Sequence, residues 1–128
     1  MAKVVYYSQT GQTRKFVNKL EGYESLEITP DKCEVTMDEP FLLVMPSYES
    51  HVHPVVIDTA CHFLETGNNI ELCKGLFGGG NRNFAQLFCV TARELAKEYG
   101  IPVLHEFEFQ GSKTDVEQLK GGMDKIGN

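Results

Sequence analysis

Positive charge is scarce in this sequence: its 128 residues hold 12 Lys and Arg against 18 Asp and Glu, a formal net charge of −6. That balance argues against non-specific binding to nucleic acid or to an anionic membrane surface. No apolar run approaches the ~20 residues needed to cross a bilayer, and the first residues do not form a signal peptide. Cys33, Cys61, Cys73 and Cys89 are far apart and include no C-x-x-C pair. Reduced, buried thiols in a cytoplasmic protein are therefore expected. Neither the Lys-bearing loop of a nucleoside-triphosphate site nor a G-x-G-x-x-G turn is present, which disfavours ATP and NAD. What remains is a 41% hydrophobic, 10% aromatic chain. That is enough for one core, so residues 1–128 are read as a single domain.

Strand and helix patterns alternate from end to end. Lys3 to Tyr7 is a short β-rich run, and Phe16, Val17 and Leu20 fall at helical spacing from Thr13 onward, with Gly22 beyond. Tyr23 to Ile28 alternates like a strand exposed on one face. Phe41 to Met45 is continuously apolar, as a central strand covered on both faces requires. Pro54 suits the first turn of a helix to Thr66, with Val56, Ala60, Phe63 and Leu64 inward. A fourth strand is expected from Glu71 to Phe77, running into a Gly78–Asn83 loop. A helix on Phe84, Leu87, Phe88, Leu95, Ala96 and Tyr99 stops at Gly100. The last strand spans Pro102 to Phe109, and Thr114 with Glu117 suggests a capping box for a final helix that Gly121-Gly122 weakens. Between Ile28 and Phe41 the chain is too short and polar for a full crossover helix, so one helix is reduced to a turn. Five such strands specify an α/β sandwich with a mostly parallel sheet.

In these folds ligands bind beyond the carboxyl ends of the strands. Ser8-Gln9-Thr10-Gly11-Gln12-Thr13, directly after the first strand, has the chemistry of a phosphate cradle: hydroxyl donors, a glycine for close backbone approach, and the amides of a helix start. The segment resembles the flavin mononucleotide (FMN) phosphate loop of flavodoxins, although an ordinary Ser/Thr-rich helix-capping turn has the same composition. Pro46-Ser47-Tyr48-Glu49 would border the flavin ring, with Tyr48 stacked on it. Gly78-Gly79-Gly80-Asn81, with Asn83 and Phe84, would offer backbone amides to the ring's polar edge.

Gly80-Asn81-Arg82-Asn83-Phe84, the Pro-Ser-Tyr turn, and Phe107-Glu108-Phe109-Gln110-Gly111-Ser112 with Asp115-Val116 make the chain similar to the NrdI family over nearly its whole length. The resemblance implies a compact, flavodoxin-like three-layer sandwich with a five-stranded parallel sheet ordered 2-1-3-4-5. It also implies bound FMN and a role beside class Ib ribonucleotide reductase. In that role the reduced flavin reacts with dioxygen, and superoxide or a related oxidant assembles the dimanganese–tyrosyl radical of the small subunit. A flavodoxin or ferredoxin reductase-type donor would supply electrons, and no side chain acts as an acid or base on its own. The sequence departs from the family at Glu49-Ser50-His51-Val52-His53, where many members carry glycines. Backbone resistance to a peptide flip there is expected to stabilise the one-electron-reduced flavin less.

His51 and His53, with Cys61 or His62, lack a third ligand at metal spacing, so no metal site is assigned. Arg82 serves either the ring edge and a partner surface or the start of the following helix. No Cys is followed six residues later by Arg, which removes the small tyrosine phosphatases. Tyr7-Ser8 and Met45-Pro46 replace the acidic pair and the phospho-acceptor of response regulators. Two alternatives stay open: a general flavodoxin electron carrier and a flavin-free interaction module. The near-neutral ring loops (Glu49, His51, His53, Arg82) favour oxygen reactivity over the first.

Overall fold

The computed structural model describes residues 3–7, 11–46, 53–80, 90–108 and 111–126. Strands β1 (Lys3–Tyr7), β2 (Glu24–Ile28), β3 (Phe41–Pro46), β4 (Cys73–Gly80) and β5 (Val103–Glu108) form one sheet. All its pairings are parallel, and its order is β2-β1-β3-β4-β5, as expected. The helices are α1 (Gln12–Asn18), α2 (His53–Leu64), α3 (Asn69–Leu72), α4 (Val90–Tyr99) and α5 (Lys113–Ile126).

Two cores follow from the period-two alternation of the strands. Val5, Tyr7, Phe41, Leu43, Met45 and Leu76 face α2 and α4, where Val56, Ala60, Phe63, Leu64 and Leu95 meet them. Val4, Tyr6, Leu42, Val44, Phe77 and Phe107 face Phe16 and Val17 of α1 and Leu119 and Met123 of α5. Every residue of β3 is buried, as its continuous apolar run requires. The expected inward stripes of α1 and α2 are buried too. Gly100 ends α4 in the left-handed region at φ 69°.

Residues 29–40, between β2 and β3, contain no helix. A turn closes on itself through Thr29 and Lys32, whose amides exchange bonds of 3.3 and 3.0 Å. The segment then lies on the α2 side of the sheet and buries Cys33 and Met37 in that core. Asn69, fully buried at the start of α3, holds it there. Its Oδ1 accepts from the Met37 amide at 2.8 Å, and its Nδ2 donates to the carbonyls of Val35 and Phe63 at 2.7 Å each. One amide side chain thus does the fastening that a crossover helix does elsewhere.

Two expectations are corrected. The fourth strand does not begin at Glu71, which lies in α3, and it does not stop at Phe77. It runs through Gly80, so Gly78, Gly79 and Gly80 belong to a strand rather than a loop. Gly78 and Gly79 are paired on both sides, with Met45 and Pro46 on one and Glu106 and Phe107 on the other, and Gly80 is paired with Glu108. Ladder bonds on both flanks offset the entropy that glycine loses. The cap of α5 is also not Thr114 with Glu117. Ser112 Oγ accepts from the Asp115 amide at 3.3 Å, and Asp115 Oδ2 accepts from the Ser112 amide at 2.8 Å. Both pairs have the required spacing, but Gly111 at φ 72° turns the chain so that Ser112 stands at the helix start. Despite Gly121 and Gly122, α5 is continuous to Ile126.

Candidate functional site

Because the sheet is parallel, the carboxyl ends of all five strands lie on one edge. The register puts Tyr7 beside Ile28, Pro46 beside Gly79 and Gly79 beside Phe107. The expected phosphate segment leaves β1 at Tyr7, the Pro46 segment leaves β3, and the Gly80-Asn81 segment leaves β4. Three of the sequence-derived groups therefore start from neighbouring positions on this edge. Ser8, Gln9, Thr10, Ser47, Tyr48, Glu49, Asn81, Asn83 and Phe84 lie outside the described residues, as do His51, Arg82 and Cys89.

Gly11 caps α1 at φ 92°, and a Cβ there would meet nothing within 4 Å. The glycine is thus set by backbone conformation, not by crowding from the described residues. Gly11 brings no capping side chain of its own, and the first turn carries no acidic residue. The amides of that turn face outward with the positive end of the helix dipole, and nothing negative in the turn competes. An anionic group such as a phosphate monoester fits there. Thr13, in the same turn, is 1% exposed and so belongs to the interior side of the helix.

Arg14 is the cation nearest this turn in sequence, and its guanidinium is held elsewhere. Nε and Nη2 bond the two Glu27 carboxylate oxygens at 3.0 and 2.8 Å, and Tyr6 donates its hydroxyl to the same carboxylate at 3.2 Å. The Arg14 bonds hold the Glu27 carboxyl below its ordinary range, while burial and the neighbouring Glu27 push the Tyr6 phenol up. The pair ties α1 to edge strand β2. Arg93 does the same between α4 and edge strand β5, with bonds of 2.7 and 2.8 Å to Glu106. Nothing local in the sequence announces these pairs, whose partners are 13 residues apart.

The return from β5 to α5 is fixed by Asp115. Besides the capping bonds, Oδ1 lies 2.6 Å from His105 Nε2 on β5. Burial raises the Asp115 carboxyl, but the bonds from His105 and Ser112 outweigh it, and the net shift is downward. Cys33 and Cys73 are buried and Cys61 is half-buried, all three as free thiols. Burial pushes the Cys73 thiol up to about 12. Among the described residues no helix is long and apolar enough to cross a membrane.

A family model described as "NrdI Flavodoxin like" matches residues 4–121. The chain is similar to Protein NrdI of Bartonella tribocorum, at 35% identity over 128 residues, with 98% of this chain and 96% of that protein covered. Among solved structures it is similar to oxidised flavodoxin 2 from Bacillus cereus, with a TM-score of 0.65 at 15% identity over 98% of this chain and 97% of that one. It is also similar to the Fusobacterium nucleatum flavodoxin bound to flavin mononucleotide. That TM-score is 0.50 at 16% identity, with 98% and 96% covered. The structural likenesses bear on the fold.

Proposed function

The chain belongs to the NrdI family of flavodoxin-like proteins, and from that we propose that it is an FMN-binding redox protein serving class Ib ribonucleotide reductase. Its proposed task is to supply the oxidant from which the dimanganese–tyrosyl radical centre of the small subunit is assembled. When bound and reduced, FMN gives electrons to dioxygen, with superoxide or a related oxidant as product. The observation that carries the reading is left-handed Gly11 at the start of α1, after the carboxyl end of β1, with β3 next to β1 in the sheet and β4 next to β3.

In this proposal the chain binds, orients and shields. Ser8, Gln9, Thr10 and Gln12, with the Gly11 backbone, hold the phosphate through neutral donors, and Thr13, buried on the interior side of α1, fixes the turn behind them. That fits the bidentate commitment of Arg14 to Glu27. Tyr48, with Pro46, Ser47 and Glu49, covers the ring. Gly78, Gly79 and Gly80 form the strand end at its polar edge, and Asn81, Asn83 and Phe84 continue it. Residues 48–53 and 79–84 surround the exposed edge and receive the partner. A flavodoxin or ferredoxin reductase-type donor reduces the flavin in the cytoplasm, and neither nucleic acid nor membrane takes part.

The test joins the anaerobically reduced protein to a manganese(II)-loaded class Ib small subunit and then admits dioxygen. Tyrosyl radical is expected by electron paramagnetic resonance, in proportion to the flavoprotein added. Reoxidation of the flavin with no radical formed would overturn the reductase role and leave a general electron carrier.

A further inference from the structure

Phe107 reaches out of β5 across β4 to stack on Phe16 of α1. The ring centroids are 4.0 Å apart and the planes 27° from parallel. Both rings are buried, at 2% and 0% exposure. The path exists because Gly79 stands beside Phe107 in the register and carries no side chain. A Cβ on Gly79 would lie 2.8 Å from Phe107 Cζ and 3.0 Å from Cε2, inside van der Waals contact. On the other flank of the stack, Gly111 meets Phe16. A Cβ there would lie 2.4 Å from Cδ1 and 2.8 Å from Cε1, at a φ of +72° that already resists side chains. Lys19 closes this flank by donating from Nζ to the Gly111 carbonyl at 3.1 Å.

Four residues from three parts of the chain thus form one column: Gly79, Phe107, Phe16 and Gly111. Phe16 sits one turn below Gly11 and Gln12, the start of α1. Gly79 sits beside Pro46 at the carboxyl ends of β4 and β3. Interiors packed at this density pass a displacement on instead of absorbing it. We propose that the Phe16–Phe107 stack, admitted by Gly79 and Gly111, sets the position of the phosphate-holding start of α1 relative to the strand end that carries the flavin ring. Phe107 and Phe16 are then positioning residues, and Gly79 is kept small by a ring behind the sheet rather than by the flavin in front of it. The inference rests on the FMN reading given above.

Fluorescence titration of the full chain with FMN and with riboflavin tests it, since only FMN reports the phosphate subsite. Gly79→Ala is expected to weaken FMN by about tenfold, near the low end of overpacking costs, and riboflavin by much less. Phe107→Leu, which removes the stack and leaves Gly79 untouched, is expected to weaken FMN over riboflavin in the same way, and combining it with Gly79→Ala to cost less than the two single losses together, because both act through one stack. Equal losses for the two flavins in Gly79→Ala, with Phe107→Leu unchanged, would mean that Gly79 meets the ring directly and would overturn the inference, as would wild-type affinity in Gly79→Ala. Should Gly79→Ala fail to fold, Phe16→Leu decides: an unchanged FMN-over-riboflavin preference overturns the coupling, and a reduced one supports it. Wild-type protein that binds neither flavin overturns the FMN reading itself, a result distinct from the others.

Discussion

Replacing Asn69 with Leu tests how the fold survives without a helix between β2 and β3. Asn69 is fully buried and makes three bonds, to the Met37 amide and to the Val35 and Phe63 carbonyls. The Phe63 carbonyl also accepts from the Thr66 amide at 3.2 Å, so it keeps a partner when Asn69 is lost. The Met37 amide and the Val35 carbonyl do not keep this one. At about 1–3 kcal/mol for each polar group orphaned in the interior, the loss is about 2–6 kcal/mol. Val35 is only half-buried and its carbonyl can recover water, which puts the expected cost near 3 kcal/mol. For a domain of this size about 4 °C is lost per kcal/mol, so the thermal midpoint should fall by about 12 °C. Urea unfolding followed by circular dichroism measures the free energy directly. A loss under about 1 kcal/mol would refute the fastening role, because surface substitutions already span that range. FMN affinity measured well below the midpoint should be unchanged, since Asn69 lies at the end of the sheet where β4 begins.

Two further outcomes follow from the titrating groups. Asp115→Asn should cost about 1 kcal/mol at neutral pH, as loss of a capping box does. The Asp115 carboxyl is lowered in the folded state, so its contribution is present above the unfolded value of about 3.9 and fades as pH falls through the lower folded one. The gap between variant and wild type should therefore narrow progressively as pH falls below about 4 in acid unfolding curves, and a gap that does not narrow there would contradict the assignment. Thiol labelling of the native protein, mapped by mass spectrometry, should reach half-buried Cys61 before Cys33 and Cys73. Burial raises all three thiols, Cys73 to about 12. Labelling of Cys73 at the rate of the unfolded chain would show that its pocket is open.

What was legible in the sequence was whatever a local period could encode. Phe41–Met45 announced a strand covered twice, and Phe16, Val17 and Leu20 announced the buried face of α1. The polar stretch after Ile28 announced a missing helix. What stayed hidden depended on partners distant in the chain. The glycines at 78–80 read as a loop because nothing nearby shows that Met45, Pro46, Glu106 and Phe107 would pair with them on both sides. Thr114 and Glu117 had the same capping spacing as Ser112 and Asp115; the turn at Gly111 and the pull of His105 chose between them. Asn69 gave no signal at all, since its three bonds reach backbone groups as far as 34 residues away. For the candidate site, the family motifs at 80–84 and 107–116 begin at Gly80 and Phe107, on the carboxyl edge of the sheet. They did not show that Phe107 works from behind it.

The most direct test of the whole account is the absorption spectrum of the purified protein, followed by denaturation and quantification of the released cofactor. The account predicts oxidised flavin bands and one FMN per chain, recovered on adding FMN to apoprotein. A colourless protein that takes up no added FMN would contradict it, leaving the fold standing and the function to be sought in protein binding.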